Sequence, residues 1–350
     1  LSRVAATPDL PLFARPVGDT WEDVTATEFL TQVRALAKGF IASGIKAGDR
    51  VGFICKTSYE WSLIVFAMWH AGGTLVPIYD TSAPSQIQWI MEDSEAVALI
   101  VETHEIEKRY LEVKDSLPRV HTLWTLEDDA IATLSAAGVD VTDAELEKRR
   151  SSLTGSSIAT LIYTSGSTGK PKGCELTHAN FVDICRNAQA AVPEVVHPGS
   201  STLLFITMAH IFARMISLLA VYGGVQVGHQ GDTTKLLPAM QSFRPTFLLA
   251  VPRVFEKVYN ASEQKAEAGG KGEIFRKAAA TAVEYSKAKA AGHVPLGLSL
   301  KFKLFDKLVL SKIRAAHGGR FGYANTGSAP QGDPHTPVIK PGGDGVREGI

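Results

Sequence analysis

Every residue from Thr164 to Gly169 is glycine, serine or threonine, and Lys170 and Lys172 follow at once. Glycine lets the backbone turn successive N–H groups toward one point, and hydroxyls add short donors. Converging N–H dipoles beside two cations suit a concentrated anion such as a polyphosphate. A Walker A loop requires four residues between its first glycine and its Gly-Lys pair, with Ser or Thr next. Here only Ser167 and Thr168 separate Gly166 from Gly169, and Pro171 stands where the hydroxyl is needed. Proline also disfavours helix at Lys170, so a P-loop kinase or NTPase fits poorly. The ordinary alternative, a Gly/Ser surface turn, does not explain the Gly-Lys-Pro-Lys-Gly exit.

The elements that would hold this loop can be read outward from it. Ile158 to Tyr163 is a short β-branched and apolar run, as in a buried strand. Upstream, after a loose leader containing prolines, Thr25 and Glu28 have capping-box spacing. Phe29, Val33, Leu36, Ala37 and Phe40 then recur at helical intervals up to Gly44. Strands are expected at 50–55, 74–79, 96–101 and 120–126, alternating with helices that include a nearly all-apolar one at 59–71. A polar helical and loop connection fills 127–155. Beyond the loop, helices at 178–192, 209–222 and 235–243 alternate with strands at 202–206, 225–228 and 246–251. The alternation predicts an α/β fold: two doubly wound, mostly parallel sheets with helices on both faces. The expected division is a first α/β part at 1–155, a second at 156–330 with the loop at its head, and an irregular tail at 331–350.

Two further stretches carry candidate chemistry. His210 falls near a predicted helix start in Leu-Phe-Ile-Thr-Met-Ala-His-Ile-Phe-Ala-Arg, where its imidazole could face a ligand; a structural histidine is the ordinary alternative. Arg244 to Tyr259 reads as a core strand running into a helix, with Pro252 as first helical residue.

Tyr163 to Gly173 resembles the phosphate-binding signature of the adenylate-forming superfamily, which includes acyl-CoA synthetases, luciferases and peptide adenylation domains. The segment around His210 and the Val-Pro-Arg-Val-Phe-Glu-Lys run from Val251 are similar to segments of long-chain fatty acid–CoA ligases, with Thr207 and Met208 replacing the usual Pro-Leu. The resemblance implies that Thr164, Ser165, Gly166, Ser167, Thr168, Gly169 and Lys172 cradle the phosphates of ATP. Ser165 and Thr168 would lie by the Mg2+ that accompanies it, and His210 by the bound carboxylate. Val251 and Pro252 would sit on the acyl side. Thr326 to Pro330 resembles the loop that lies against adenine, which gives Gly327, Ser328, Ala329 and Pro330 that role. The implied reaction joins a long-chain fatty acid to AMP and then to coenzyme A, with the acyl chain in an apolar tunnel between the halves. The alternatives are an acyl-AMP ligase feeding a carrier protein and a nucleotide- or lipid-binding remnant without turnover.

The resemblance stops near Pro330. The family's Tyr-Gly-x-Thr-Glu segment, ribose-binding aspartate, hinge and small C-terminal lid domain with its catalytic lysine have no counterpart in the tail. The expectation is an N-terminal fragment, weakly active or inactive alone. Formal net charge is zero, which gives no general attraction to nucleic acid. Three cysteines without metal-ligand spacing suit a reducing cytoplasm. No apolar run reaches the roughly 18 residues of a membrane span. The lysines at 301, 303, 307 and 312 and Arg314 interleave with apolar residues. That pattern fits either a solvated helix with a core-facing stripe or peripheral contact at the inner face of a membrane.

Overall fold

The computed structural model describes residues 1–164, 170–250, 252–312, 318–320, 323–326 and 346–348. The first elements are α1 (Ser2–Ala6), β1 (Pro11–Val17), β2 (Thr20–Thr25), α2 (Ala26–Ala42), β3 (Arg50–Ile54), α3 (Tyr59–His70), β4 (Thr74–Ile78), α4 (Pro84–Asp93), β5 (Ala98–Val101), α5 (His104–Leu111), β6 (Thr122–Thr125), α6 (Ala130–Ala137) and α7 (Asp143–Ser151). Then come β7 (Ile158–Thr164), β8 (Lys172–Thr177), α8 (His178–Ala191), β9 (Ser201–Leu204), α9 (Ile211–Gly223), β10 (Gln226–His229), α10 (Leu236–Phe243), β11 (Phe247–Ala250), α11 (Pro252–Ala268), α12 (Gly272–Ala290), α13 (Leu296–Phe305), β12 (Tyr323–Thr326) and β13 (Val346–Glu348). A π-helical turn, Asp306–Leu310, continues α13. The fold is two mostly parallel sheets with helices on both faces.

Two compact units divide the chain. Unit 1 holds 1–15, 22–198 and 204–231; unit 2 holds 16–21, 199–203 and 232–350. The boundary expected at 155/156 falls inside unit 1. The reason is pairing: β7 lies parallel to β4, with Leu75 opposite Thr160, so the strand before the glycine-rich loop belongs to the first sheet.

In unit 1 six strands run in the order β6-β5-β3-β4-β7-β8, parallel except for the last pair. Buried on both faces, β3, β4 and β5 read as continuous apolar runs. Ile54, Val76, Ile78, Leu99, Val101 and Leu161 join Ile87 and Met91 of α4 in one core cluster. The capping box at Thr25 forms, its hydroxyl accepting from the Glu28 N–H while the Glu28 carboxylate accepts from the Thr25 N–H. The five helical-interval residues of α2 are all buried. The polar connection is helical as expected, and α6 packs tightly on α2. A Cβ on Gly39 would strike the Leu134 carbonyl oxygen, and one on Gly138 would strike the Gly39 nitrogen.

The leader differs from expectation. It forms β1, with Leu12, Phe13 and Ala14 buried and Phe13 opposite Val227 of β10. Its prolines are compatible with pairing because Pro11 is the first residue of the strand and Pro16 lies near its end. In unit 2, β11 pairs in parallel with β9 and β12, and β12 with β13. Short breaks at 269–271 and 291–295 separate α11, α12 and α13.

Candidate functional site

The glycine-rich loop is the connection of a hairpin. β7 and β8 are antiparallel, with Thr164 opposite Lys172 and Tyr163 opposite Gly173. Both Thr164 and Lys172 are exposed at its mouth. Ser165, Gly166, Ser167, Thr168 and Gly169 lie outside the described residues, and so does the proposed Mg2+ contact through Ser165 and Thr168. β7 enters the loop from its carboxyl end, the end at which parallel sheets commonly present ligand sites.

The sequence did not reveal what holds the hairpin in place. Helix α4 grips it on both limbs. Trp89 donates from Nε1 to the Pro171 carbonyl at 2.8 Å, and the Lys170 ammonium sits 4.1 Å from the Trp89 ring centroid. On the entering strand, the Tyr163 hydroxyl donates to Oδ2 of Asp93 at 2.6 Å. Burial and the adjacent Asp93 carboxylate hold the Tyr163 hydroxyl well above the usual phenol range, so it stays a donor. Gly173 accepts the ring across the hairpin, since a Cβ there would sit 3.1 Å from Tyr163 Cζ. The only signal available in sequence was the aromatic and acidic pair in the α4 segment, Trp89 and Asp93 at helical spacing.

His210 is exposed and caps the N-terminus of α9. Its Nδ1 accepts from the Phe212 N–H at 3.3 Å. With Nδ1 accepting, the neutral ring carries its proton on Nε2, which can donate outward to an anionic oxygen. The turn before it, where Thr207 and Met208 replace Pro-Leu, closes with the His210 N–H on the Thr207 carbonyl at 3.1 Å; the Thr207 hydroxyl is buried without a partner among the described residues.

One turn into α9, Arg214 is fully buried. Its Nη1 donates to Thr160 Oγ1 at 2.7 Å, and Thr160 Oγ1 donates to the Leu75 carbonyl at 2.7 Å. The guanidinium packs near the rings of Phe181 and Trp61, at 5.6 and 5.9 Å. Nε and Nη2 have no hydrogen bond among the described residues, and burial lowers the group to about 9, still a cation at neutral pH. Arg214 therefore joins the helix headed by His210 to the strand that enters the glycine-rich hairpin.

The remaining candidates lie in unit 2. Val251 is outside the described residues, and Pro252 opens α11 as expected. Gly327, Ser328, Ala329 and Pro330 also lie outside them. The strands that lead to both segments are neighbours: β11 and β12 pair in parallel with Ala250 opposite Thr326. Their carboxyl ends are thus side by side, which is the arrangement a shared site requires.

Comparison with known proteins follows the same lines. The AMP-binding enzyme family matches residues 2–316. A long-chain-fatty-acid–CoA ligase of Mycobacterium bovis, FadD15, is 43% identical over 328 residues, covering 93% of this chain and 55% of the relative. The FadD15 of Mycobacterium tuberculosis is similar to the same extent. The chain spans about half the length of the curated relatives it matches. Among solved structures, the A-PCP didomain of a carboxylic acid reductase from Segniliparus rugosus, in complex with AMP, superposes with a TM-score of 0.74 at 18% identity. That match covers 99% of this chain and 50% of the other. The N-terminal domain of FACL13 from M. tuberculosis superposes with a TM-score of 0.67 at 21% identity, covering 96% and 70%. The structural matches show the fold, and the family match over most of the sequence establishes that the chain belongs to the AMP-binding enzymes.

Proposed function

We propose that the protein carrying this chain activates a long-chain fatty acid as an acyl-adenylate and passes the acyl group to coenzyme A. The observation that carries the reading is the hairpin. It offers an all-Gly/Ser/Thr run from Thr164 to Gly169, followed by Lys170, Pro171 and Lys172, and sits at the carboxyl end of a parallel strand, in a chain 43% identical to a long-chain-fatty-acid–CoA ligase. In the first step a fatty acid carboxylate attacks the α-phosphate of ATP and pyrophosphate leaves. Negative charge on the phosphates must be offset as the new bond forms. Lys172 and the loop residues Thr164, Ser165, Gly166, Ser167, Thr168 and Gly169 would bind the phosphates. His210 would hold a carboxylate oxygen through Nε2–H. Gly327, Ser328, Ala329 and Pro330 would contact adenine, and Val251 and Pro252 the acyl chain.

Ser165 and Thr168 supply hydroxyl oxygens of the kind that hard cations take, and would face magnesium. When bound with ATP, magnesium supplies further charge neutralisation at the phosphates.

The reading includes a cytoplasmic enzyme in peripheral contact with the inner face of a membrane. Among the described residues no helix is long and apolar enough to cross one. A second reading, an acyl-AMP ligase that delivers to a carrier protein, shares every element above. One structural neighbour, from L. pneumophila, is a fatty acyl-adenylate ligase in complex with acyl adenylate and pyrophosphate, at 16% identity.

The test is fatty-acid-dependent exchange of pyrophosphate into ATP by the protein at its native length, followed by acyl transfer to coenzyme A. Exchange without transfer to coenzyme A would favour the carrier-protein reading. No exchange with any medium- or long-chain acid would overturn both. The 350-residue chain alone is expected to bind ATP and turn over weakly or not at all.

A further inference from the structure

Helix α13 and the π-helical turn after it present two faces. One is a core face: Phe302, Phe305, Val309 and Leu310 pack with Phe275, Ala278, Ala279 and Ala282 of α12. Phe302 also stacks on Tyr285, with centroids 4.0 Å apart and planes 16° from parallel. This helical group is therefore packed without the remaining apolar residues of α13.

Those residues form the other face. Leu296, Leu300, Leu304 and Leu308 recur at every fourth position and are 85, 67, 58 and 48% exposed. Helical spacing puts them in one stripe about 18 Å long. Lys303 and Lys307 border the stripe on one side and Lys301 on the other, and Lys312 follows just beyond the π-helical turn; all four are exposed. Lys301 lies 4.0 Å from Glu284 of α12. Asp306, the one acidic residue between 296 and 312, is half-buried on the side away from the stripe.

A leucine stripe edged by lysines is an apolar wedge with cationic margins. Leucines can enter the boundary between headgroups and acyl chains while lysines extend to the phosphates. We propose that this face of α13 docks on a bilayer containing anionic phospholipid. Charge decides the occupant: a second copy of the same face would bring lysine rows together, whereas an anionic surface attracts them. The proposal gives residues to the peripheral contact included in the functional reading and rests on that part of it. It also suits the chemistry, since a long-chain acid partitions into membranes and the stripe would hold the protein where that substrate is concentrated.

The test is vesicle flotation with both the 350-residue chain and the native-length protein, using phosphatidylcholine vesicles with and without phosphatidylglycerol. Both proteins should float with the anionic vesicles and hardly with the neutral ones. Salt should weaken binding. Paired changes Lys303→Glu with Lys307→Glu, and Leu300→Ser with Leu304→Ser, should each reduce binding at least about fivefold. The thermal midpoint should not move, because these side chains are exposed. Failure of both lengths to bind, or unchanged binding by both paired variants, would overturn the proposal. Binding by the short chain that vanishes at native length would assign the stripe to the rest of the polypeptide. Self-association abolished by the leucine changes, without vesicle binding, would assign it to a second copy. Either result would overturn it. Pyrophosphate exchange in vesicle-free solution reads the ligase reaction separately, so loss of that activity leaves the flotation result interpretable.

Discussion

Arg214 Nη1 and Thr160 Oγ1 lie 2.7 Å apart, and that bond ties the helix begun by His210 to the strand entering the glycine-rich hairpin. It is made by a buried cation with no ion-pair partner among the described residues, an arrangement that costs stability. Groups kept against stability are often kept for positioning.

The expected outcome is a separation of stability from activity. Arg214→Met removes the buried charge, and Thr160 keeps its bond to the Leu75 carbonyl, so the thermal midpoint should hold or rise. Arg214→Ala also empties the space beside Trp61 and Phe181 and should cost roughly 2–5 kcal/mol. In the native-length protein, Arg214→Met should nevertheless lower fatty-acid-dependent exchange. Calorimetry together with exchange rates checks this. Equal destabilisation by both changes would mean that the bond outweighs the burial penalty.

Trp89 supports the outgoing limb of the loop through its Nε1 donor and its ring. Trp89→Phe keeps a ring beneath Lys170 but loses the bond to Pro171. ATP affinity of the 350-residue chain, read by titration calorimetry, should fall several-fold, in line with about 1 kcal/mol for one hydrogen bond. Trp89→Ala should cost more, and Lys172→Gln about tenfold by removing a cation at the mouth. Unchanged affinity in all three would place the phosphates away from this hairpin.

The parallel core was legible because β3, β4 and β5 are apolar on both faces and bounded by clear helix signals. β8 was not. Its residues Lys172 to Glu175 are exposed and only Leu176 and Thr177 are half-buried, so no alternation marks it. Only pairing with β7 makes it a strand. β1 was hidden by two prolines that its pairing tolerates. The glycine-rich loop proposed as the phosphate site was visible from residue types alone. Its supports, Trp89, Asp93 and Arg214, come from helices distant in sequence, and no local pattern links them to it. The leucines of α13 were ambiguous for a related reason: spacing reveals a stripe, but not whether the core or solvent lies beside it.

His229 sets an acid limit on unit 1. It is fully buried, its Nε2 lies 3.1 Å from Ser62 Oγ, and Ser62 in turn meets Ser217 Oγ at 2.7 Å. Burial lowers the ring from 6.5 to about 3, and His70 is lowered to about 4 for the same reason. Both are neutral when folded and take up protons more readily when unfolded. Their contribution is complete above pH 6.5 and is lost as pH falls from there toward the folded values. His104, exposed between Glu107 and Asp128, is raised instead, so its smaller effect runs the other way and fades as pH rises. Unfolding followed from pH 7 to 4 should show stability falling, and His229→Gln should flatten the slope by on the order of 1 kcal/mol per pH unit. An unchanged slope would place the acid sensitivity elsewhere.

His210 can be separated into cap and ligand because its two nitrogens do different work. Nδ1 accepts the Phe212 N–H, and Nε2 belongs to an exposed residue and is not used by the cap. Asparagine is a good N-cap acceptor but cannot reproduce the reach of Nε2–H. His210→Asn should therefore keep the thermal midpoint, while His210→Ala should lose about 1 kcal/mol with the cap. Both should reduce kcat/KM for the fatty acid in exchange by roughly two orders of magnitude, the scale of losing one donor to a developing anionic centre. KM for ATP should change little, because the phosphates are assigned to the hairpin. If His210→Asn exchanges at the wild-type rate with an unaltered KM for the acid, the carboxylate is held elsewhere and His210 is only the cap of α9.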